Sequence, residues 1–240
     1  MQNEREPLRF RGTPSRLLAT VELEEGHPAP KVCRVTLPEA GPLPLSVRRL
    51  RSAEPFVSTL SFRLPKSTPP GIYQGSVELG ERHIPIVVDV EPRTSLRFLR
   101  PAVAFKGAPG AKTTAELVLL NRGNVEVSIP REDKFCVFDD EGVARAMYRG
   151  LIEEEGDGQQ RLDRIMEELA KAHGGLVRVT VSKGSGPLAP EEVRELAVEF
   201  HFSRRLMGGH VYRGTWNVSE ASLEVKIGVM GESKGEEKGR

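Results

Sequence analysis

One stretch of this chain occurs twice. Tyr73-Gln74-Gly75-Ser76-Val77 is matched by Tyr212-Arg213-Gly214-Thr215-Trp216, 139 residues further on. The match continues without a gap into the next apolar/polar run, where the apolar positions Ile84, Ile86, Val88 and Val90 fall opposite Leu223, Val225, Ile227 and Val229. Alternation with a period of two on both sides of a short polar turn is typical of an antiparallel hairpin with one buried face. The repeat therefore predicts two similar β domains in tandem.

Length and composition agree with this prediction. The 240 residues suffice for two ordinary domains, and only 5% of them are aromatic, so each core must depend on Val, Leu and Ile. The 18 Pro and 24 Gly residues, with little helical periodicity, indicate short strands and many turns. We predict an all-β protein in four parts: a flexible lead (1–12), a first sandwich (13–91), a second sandwich (92–230) and a disordered tail (231–240).

The second domain differs from the first by an insertion. Leu162, Ile165, Met166 and Leu169 recur at the spacing of one face of a helix, and Gly174-Gly175 ends the pattern. We therefore predict a helical insertion at about 139–176, with its helix over residues 161–173. The apolar stripe of that helix either packs on the sandwich, which we favour, or is a docking surface for a partner.

Charge gives no general attraction to polyanions. The 35 basic and 34 acidic residues leave a net charge of +1, so binding of nucleic acid or an anionic membrane would need a local patch. Arg48, Arg49 and Arg51 form one basic cluster, which we interpret as a loop or charge-protected edge strand; an anionic-ligand patch is the alternative. No apolar run approaches the roughly 20 residues of a membrane-spanning helix. We expect no nucleic-acid partner and no membrane-spanning segment.

The two cysteines, Cys33 and Cys136, fall in different predicted domains, which excludes a disulfide within either domain. Each lies in an apolar run, so we predict that each is a small buried hydrophobe. A disulfide between the domains is the less favoured alternative.

Motifs for catalysis are absent from the sequence. It contains no P-loop, no nucleophile elbow and no dinucleotide-binding glycine pattern. The five histidines lack zinc-site spacing; His201 and His210 flank one loop and are the pair that we would test, against the simpler interpretation of separate imidazoles. We predict no catalytic residue, no cofactor-binding residue, no metal ligand and no cofactor.

Two features support an alternative role as a glycan- or calcium-binding module. Asp139-Asp140-Glu141 and Glu153-Glu154-Glu155-Gly156-Asp157 supply the oxygens that calcium needs, although EF-hand spacing is absent and solvated acidic turns are favoured. Trp216 is a candidate sugar platform. It aligns with Val77, an inward position of the repeat, so packing in the core is the favoured interpretation.

Two segments resemble bacterial immunoglobulin-like β-sandwich modules: Pro70-Gly71-Ile72-Tyr73-Gln74-Gly75-Ser76-Val77 and Leu119-Leu120-Asn121-Arg122-Gly123-Asn124-Val125-Glu126-Val127. The second domain departs from the first pattern, with Gly208-Gly209-His210-Val211 in place of Pro-Gly. The resemblance implies two tandem immunoglobulin-like domains without catalytic residues. Such modules usually belong to extracytoplasmic or cell-envelope proteins and bind proteins or glycans. In size, the chain is also similar to periplasmic pilus chaperones, a minor alternative.

We therefore predict a non-catalytic protein-interaction or structural scaffold subunit whose partner is another protein. An enzyme ranks behind the ligand-binding module, on the ground that sandwich loops can bring together residues distant in sequence. The resemblance implies an extracytoplasmic location, and a cytoplasmic one is the alternative because the N-terminus lacks the apolar segment of a signal peptide. The sequence identifies neither the partner nor the oligomeric state.

Overall fold

A computed structural model describes residues 7–22, 33–38, 41–44, 46–49, 57–79, 82–152 and 157–230. Its contacts divide the chain into two compact units. The first contains the residues up to Ser95 together with the short segments 121–126 and 189–191, and the second contains the others from Leu96 onward. The tail predicted at 231–240 lies outside the described residues.

The described part of the first unit consists of eight strands. They are β1 (Leu8–Thr13), β2 (Arg16–Glu22), β3 (Cys33–Leu37), β4 (Gly41–Pro44), β5 (Ser46–Arg49), β6 (Val57–Phe62), β7 (Gly71–Leu79) and β8 (Arg82–Val90). Strand β1 shows that the flexible lead predicted for residues 1–12 is wrong from Leu8 onward. This segment pairs in parallel with β8 and places Phe10 in the core at 0% exposure.

The second unit contains ten strands and two helices in its described part. They are β9 (Leu96–Phe98), β10 (Ala102–Gly107), β11 (Lys112–Asn121), β12 (Val127–Ile129), β13 (Glu132–Asp139), α1 (Asp140–Ile152), α2 (Gly158–Ala172), β14 (His173–Lys183), β15 (Gly186–Leu188), β16 (Val193–His201), β17 (Val211–Val218) and β18 (Ala221–Val229). Strands β12 and β15 pair only with each other, and the remaining strands form the main sheet.

The main sheet of the second unit folds back on itself. Its order is β10-β18-β17-β13-β14-β16-β11-β9, and β14 pairs with β13 on one side and with β16 on the other. Strands far apart in that order nevertheless touch: the rings of Phe98 on β9 and Trp216 on β17 are 5.6 Å apart, and those of Phe105 on β10 and Phe200 on β16 are 5.1 Å apart. Two layers therefore enclose one core, as predicted for a β-sandwich.

The first unit has the strand order β4-β3-β7-β8-β1-β2-β6-β5. Strand β5 is the last strand of that order, so Arg48 and Arg49 lie on an edge strand, as the basic cluster predicts. Arg51 lies outside the described residues. One cluster of buried residues, including Val35, Val77 and Val88, fills the space between the strands.

The repeated hairpin is confirmed residue by residue. Tyr73 pairs with Val88 across β7 and β8, and Tyr212 pairs with Ile227 across β17 and β18. Both copies therefore keep the same register at an offset of 139 residues. This agreement follows from the shared alternation, because a slip of one residue would turn the whole apolar set to the solvent.

The predicted helical insertion is also confirmed, and it contains one helix more than the sequence analysis found. Helix α2 covers the predicted span and starts at the N-cap Asp157, whose carboxylate accepts a hydrogen bond from the backbone N of Gln160 at 2.9 Å. Helix α1 was missed although Val143, Ala146 and Met147 recur at helical spacing, because Gly142 and Gly150 within it are poor helix formers. It begins with Asp140 and Glu141, acidic residues that favour the positive end of a helix.

The Leu-x-Asn-x-Gly-Asn pattern orders a turn. The Asn121 Oδ1 atom accepts from the Gly123 backbone N at 2.9 Å, and its Nδ2 donates to the Val125 carbonyl at 2.8 Å. Both asparagines are buried. Their amides bond to backbone groups of the turn and its neighbours, so the pattern has a structural role in this turn.

The Asn124 side chain joins this turn to two other segments of the first unit. Its Oδ1 accepts from the Arg93 backbone N at 2.6 Å, and its Nδ2 donates to the carbonyls of Thr68 and Glu91 at 3.1 and 3.0 Å. We expect Asn124→Ala to lower the free energy of unfolding of the first unit by about 2–3 kcal/mol, because it leaves buried polar groups unpaired. Urea unfolding followed by circular dichroism measures the change. Arg122→Ala, an exposed position of the same turn, is the control and should change stability by less than about 0.5 kcal/mol; equal losses in both variants would contradict this role.

Candidate binding surfaces

An imidazole–carboxylate hydrogen bond and an ion pair fix the helical hairpin α1–α2 to the sandwich of the second unit where the hairpin leaves β13. The Asp139 side chain is 6% exposed, and its Oδ2 lies 3.0 Å from His210 Nδ1. The Arg213 Nε lies 2.5 Å from Asp140 Oδ2 in the first turn of α1. Arg213 lies on β17 and His210 lies in the loop before β17. The start of α1 is therefore joined to the repeated β-hairpin, β17–β18.

Small residues let the two helices approach closely near this point. A Cβ added at Gly142 would lie 2.8 Å from the Cβ of Ala172, so only glycine fits at that contact. Ala146 and Ala172 are buried, at 0% and 4% exposure. The contact between α1 and α2 is therefore made largely by short side chains.

Four of the longer apolar side chains on the two helices remain exposed. The exposed fractions are 47% for Met147, 62% for Tyr148, 51% for Leu162 and 59% for Met166. Burial of the apolar stripe was the favoured prediction, and it is wrong for Leu162 and Met166. Ile165 and Leu169 are half-buried, so α1 covers only one side of the stripe. We call the four exposed side chains the hairpin surface.

The structure does not bring the candidate metal ligands together. His210 contacts Asp139, whereas His201 lies on β16 opposite Lys112 and Arg178. Among the described residues, no three His, Cys, Asp or Glu side chains lie close enough to hold a metal ion. Of the acidic candidates, Asp139 and Asp140 are engaged by His210 and Arg213, and residues 153–156 lie outside the described part.

Trp216 is a core residue, as its alignment with Val77 predicts. It is 0% exposed, and its Nε1 donates to Asp133 Oδ2 at 2.9 Å. It is therefore unavailable as a sugar platform. For Cys136 the prediction of burial is wrong: the side chain is exposed, because Phe135 and Val137 take the inward positions of β13. The side chain of Cys33 lies outside the described residues.

Each unit has a tyrosine at the start of the first strand of the repeated hairpin, and both hydroxyls bond back to the chain just upstream. The Tyr73 hydroxyl donates to the Pro69 carbonyl at 2.8 Å, and the Tyr212 hydroxyl accepts from the Met207 backbone N at 3.1 Å. This tyrosine corner is characteristic of immunoglobulin-like sandwiches. The repeated tyrosine was the available sequence signal, although the repeat alone did not show that its hydroxyl orders the preceding turn.

The chain is a tandem of two immunoglobulin-like sandwiches. Solved structures with similar folds are themselves tandem modules. An I-band fragment of titin is 10% identical with a TM-score of 0.37; the match covers 95% of this chain and 63% of that fragment, less than two thirds of its length. A tandem pair of titin Ig domains is 11% identical with a TM-score of 0.27, covering 96% of each chain.

Domains 4 and 5 of the S-layer protein SbsC are 15% identical to this chain with a TM-score of 0.26, and the match covers 68% of this chain and 66% of that one. A scan against protein-family models finds no match, and neither does a search of curated proteins. These matches are too distant to carry an argument, and the assignment rests on strand order and the two tyrosine corners. No helix in the described residues is long and apolar enough to cross a membrane.

The turn held by Tyr73 also borders a small apolar pocket in the first unit. Its volume is about 440 Å³, and its lining residues include Leu37, Leu64, Pro65 and Ile72. The Ile72 side chain is 74% exposed. Sequence reasoning treated residues 65–71 as a rigid connection and missed this concavity, because it forms only when the connection packs beside Leu37 of β3.

Proposed function

We propose that this protein is a non-catalytic binding subunit and that its hairpin surface contacts another protein. The observation that carries the proposal is the exposure of Met147, Tyr148, Leu162 and Met166 on one inserted two-helix element. Single exposed apolar residues are ordinary, but a group of them on one element is typical of interaction sites. Helices that present apolar side chains are a recurring means of protein recognition, and methionine adapts well to varied partner surfaces.

The placement of the hairpin supports this role. The contacts of Asp139 with His210 and of Asp140 with Arg213 fix its base, so a partner would meet an element that is already positioned. Preorganisation of this kind reduces the conformational entropy that is lost on binding. An extracytoplasmic or cell-envelope location belongs to the same proposal and is supported only by the resemblance to bacterial modules.

The alternatives have less support. The glycan-binding hypothesis depended on Trp216, whose ring lies inside the core. The calcium interpretation depended on acidic residues of which Asp139 and Asp140 contact His210 and Arg213 and Asp157 caps α2, while residues 153–156 lie outside the described part. The imidazole–carboxylate pair His210–Asp139 resembles part of a catalytic arrangement, but its described hydrogen bonds include no Ser, Thr or Cys.

Affinity capture from the native host tests the proposal with matched variants. One variant replaces all four residues of the hairpin surface by Gln, which keeps helix propensity. The control replaces four exposed apolar residues of the second unit outside the hairpin, as Leu99→Gln, Val193→Thr, Met207→Gln and Met230→Gln. We expect wild type and control to retain the same stoichiometric partner and the hairpin variant to lose it. Retention of that partner by the folded hairpin variant, or absence of any partner from wild type, would contradict the proposal.

A further inference from the structure

Four basic side chains lie opposite one another on four neighbouring strands of the second unit. Lys112 on β11 pairs with His201 on β16, His201 pairs with Arg178 on β14, and Arg178 pairs with Lys134 on β13. We call these residues the basic row. Because neighbouring strands are about 4.8 Å apart, the row extends roughly 14 Å across the sheet.

The positive charge of the row is only partly compensated. Like charges placed directly opposite each other destabilise a sheet, so nearby carboxylates would be expected to pair with them. Glu199 pairs with Lys112 at 2.9 Å, whereas Asp133 is turned toward the Trp216 Nε1. In the described part of the chain, Lys134 and Arg178 form no ion pair.

A groove of about 1320 Å³ surrounds the row. Five Lys or Arg side chains and three carboxylates line it, and two of those carboxylates are already engaged, so positive charge exceeds negative charge. Arg204 and Arg205, from the loop after β16, supply the additional cations. One apolar side chain, Leu176, is 45% exposed on β14, two residues before Arg178 on the same face.

We propose that this groove binds an acidic peptide segment of a partner protein; the inference rests on the proposed function and names the chemistry of a second contact. Carboxylates of the segment lie over Lys134 and Arg178, where a guanidinium can bind a carboxylate through two parallel hydrogen bonds. An apolar residue of the segment covers Leu176. The chemistry favours a peptide over a single-stranded nucleic acid, because Phe202 is the one Phe, Tyr or Trp among the described residues that line the groove, and at 2% exposure it offers no stacking surface.

Fluorescence anisotropy with the full chain tests this inference. The probe is a short fluorescein-labelled peptide of repeated Glu-Leu-Glu-Glu units, and its control peptide has Gln in place of every Glu. The test variant combines Lys134→Glu with Arg178→Glu. The control variant combines Arg97→Glu with Lys226→Glu, which makes the same change of net charge at exposed positions of other strands.

We expect the acidic probe to bind wild type and the control variant, to bind the test variant at least about tenfold more weakly, and to weaken as ionic strength rises. Binding of the acidic probe no tighter than the Gln peptide would overturn the inference. So would equal weakening by both charge-reversal variants at unchanged thermal midpoints, or binding of a sulfated polysaccharide in place of the peptide.

The same titration separates this inference from the proposed function. The hairpin variant should bind the probe as wild type does, because the two surfaces share no residue. If the probe binds through Lys134 and Arg178 while capture finds no partner for the hairpin, the hairpin proposal alone fails. If capture depends on the hairpin while the probe does not bind, the groove inference alone fails.

Discussion

Replacing Trp216 by alanine is expected to lower the free energy of unfolding of the second unit by about 3–5 kcal/mol. The ring is fully buried, and it packs against Phe98 and Phe200 with centroids 5.6 and 6.1 Å away. Alanine would leave a large cavity between the two layers and remove the hydrogen bond to Asp133. The cost combines lost apolar burial with the cavity itself, since neither layer can close the space without moving a strand.

Calorimetry of the full chain measures this effect, and amide hydrogen exchange assigns it to a unit. The transition of the second unit should move down by on the order of 10 °C. Amide protection should fall in β16 to β18 and stay unchanged in β7 and β8. Trp216→Phe is the matched variant: it keeps much of the ring and should cost about 1–2 kcal/mol. A Trp216→Ala protein with wild-type stability would show that the tryptophan is not the centre of this core.

The second large effect is expected at the two glycines of the repeat. A side chain at Gly75 would overlap the backbone carbonyl of Thr36, and one at Gly214 would overlap that of Cys136. In both units, therefore, the repeated hairpin packs its glycine against the strand beside it. We expect Gly75→Ala and Gly214→Ala each to destabilise their own unit by about 3 kcal/mol, because backbone atoms cannot move aside as a flexible side chain can.

Gly228→Ala is the matched control for this pair. It lies on β18 of the same hairpin as Gly214, and an added Cβ would be 3.8 Å from the nearest atom, the Phe105 carbonyl oxygen, which is an ordinary contact. It should therefore change stability by less than about 1 kcal/mol, and alanine in a strand is favoured over glycine. Urea unfolding of the three variants makes the comparison. Losses at Gly228 as large as those at Gly214 would mean that general strand propensity, and not close packing, explains the repeated glycines.

The sequence predicts those parts of the fold that depend on local patterns. The register of the repeated β-hairpin follows from the alternation of apolar and polar residues in a single stretch. Helix α2 follows from the helical spacing of its apolar residues, Leu162, Ile165, Met166 and Leu169. In helix α1 the apolar pattern is interrupted by Gly142 and Gly150, and its start contacts Arg213 and Ala172, which are remote in sequence. Strand β1 was missed although a two-residue turn joins it to β2, because its longer pairing, with β8, is parallel and remote in sequence.

The candidate surfaces were harder to predict than the fold. The basic row joins residues 112, 134, 178 and 201, which are brought together only by the register of four strands. Neither composition nor a sequence motif predicts such a register, and the net charge of +1 gives no sign of a local excess of basic residues. The hairpin surface could be predicted in part. Periodicity identifies the apolar stripe of α2, but whether water or another element covers that stripe depends on where α1 packs.

Site-specific photo-crosslinking tests the central claim, that the hairpin surface contacts another protein, most directly. A photoreactive phenylalanine analogue is placed at position 148 or 166 of the full chain in its native host, with positions 99 and 226 as exposed controls in the second unit. We expect a crosslink to one protein, identified by mass spectrometry as the same partner at positions 148 and 166, and no such crosslink at 99 or 226. Equal labelling at all four positions, or adducts at the control positions alone, would contradict it.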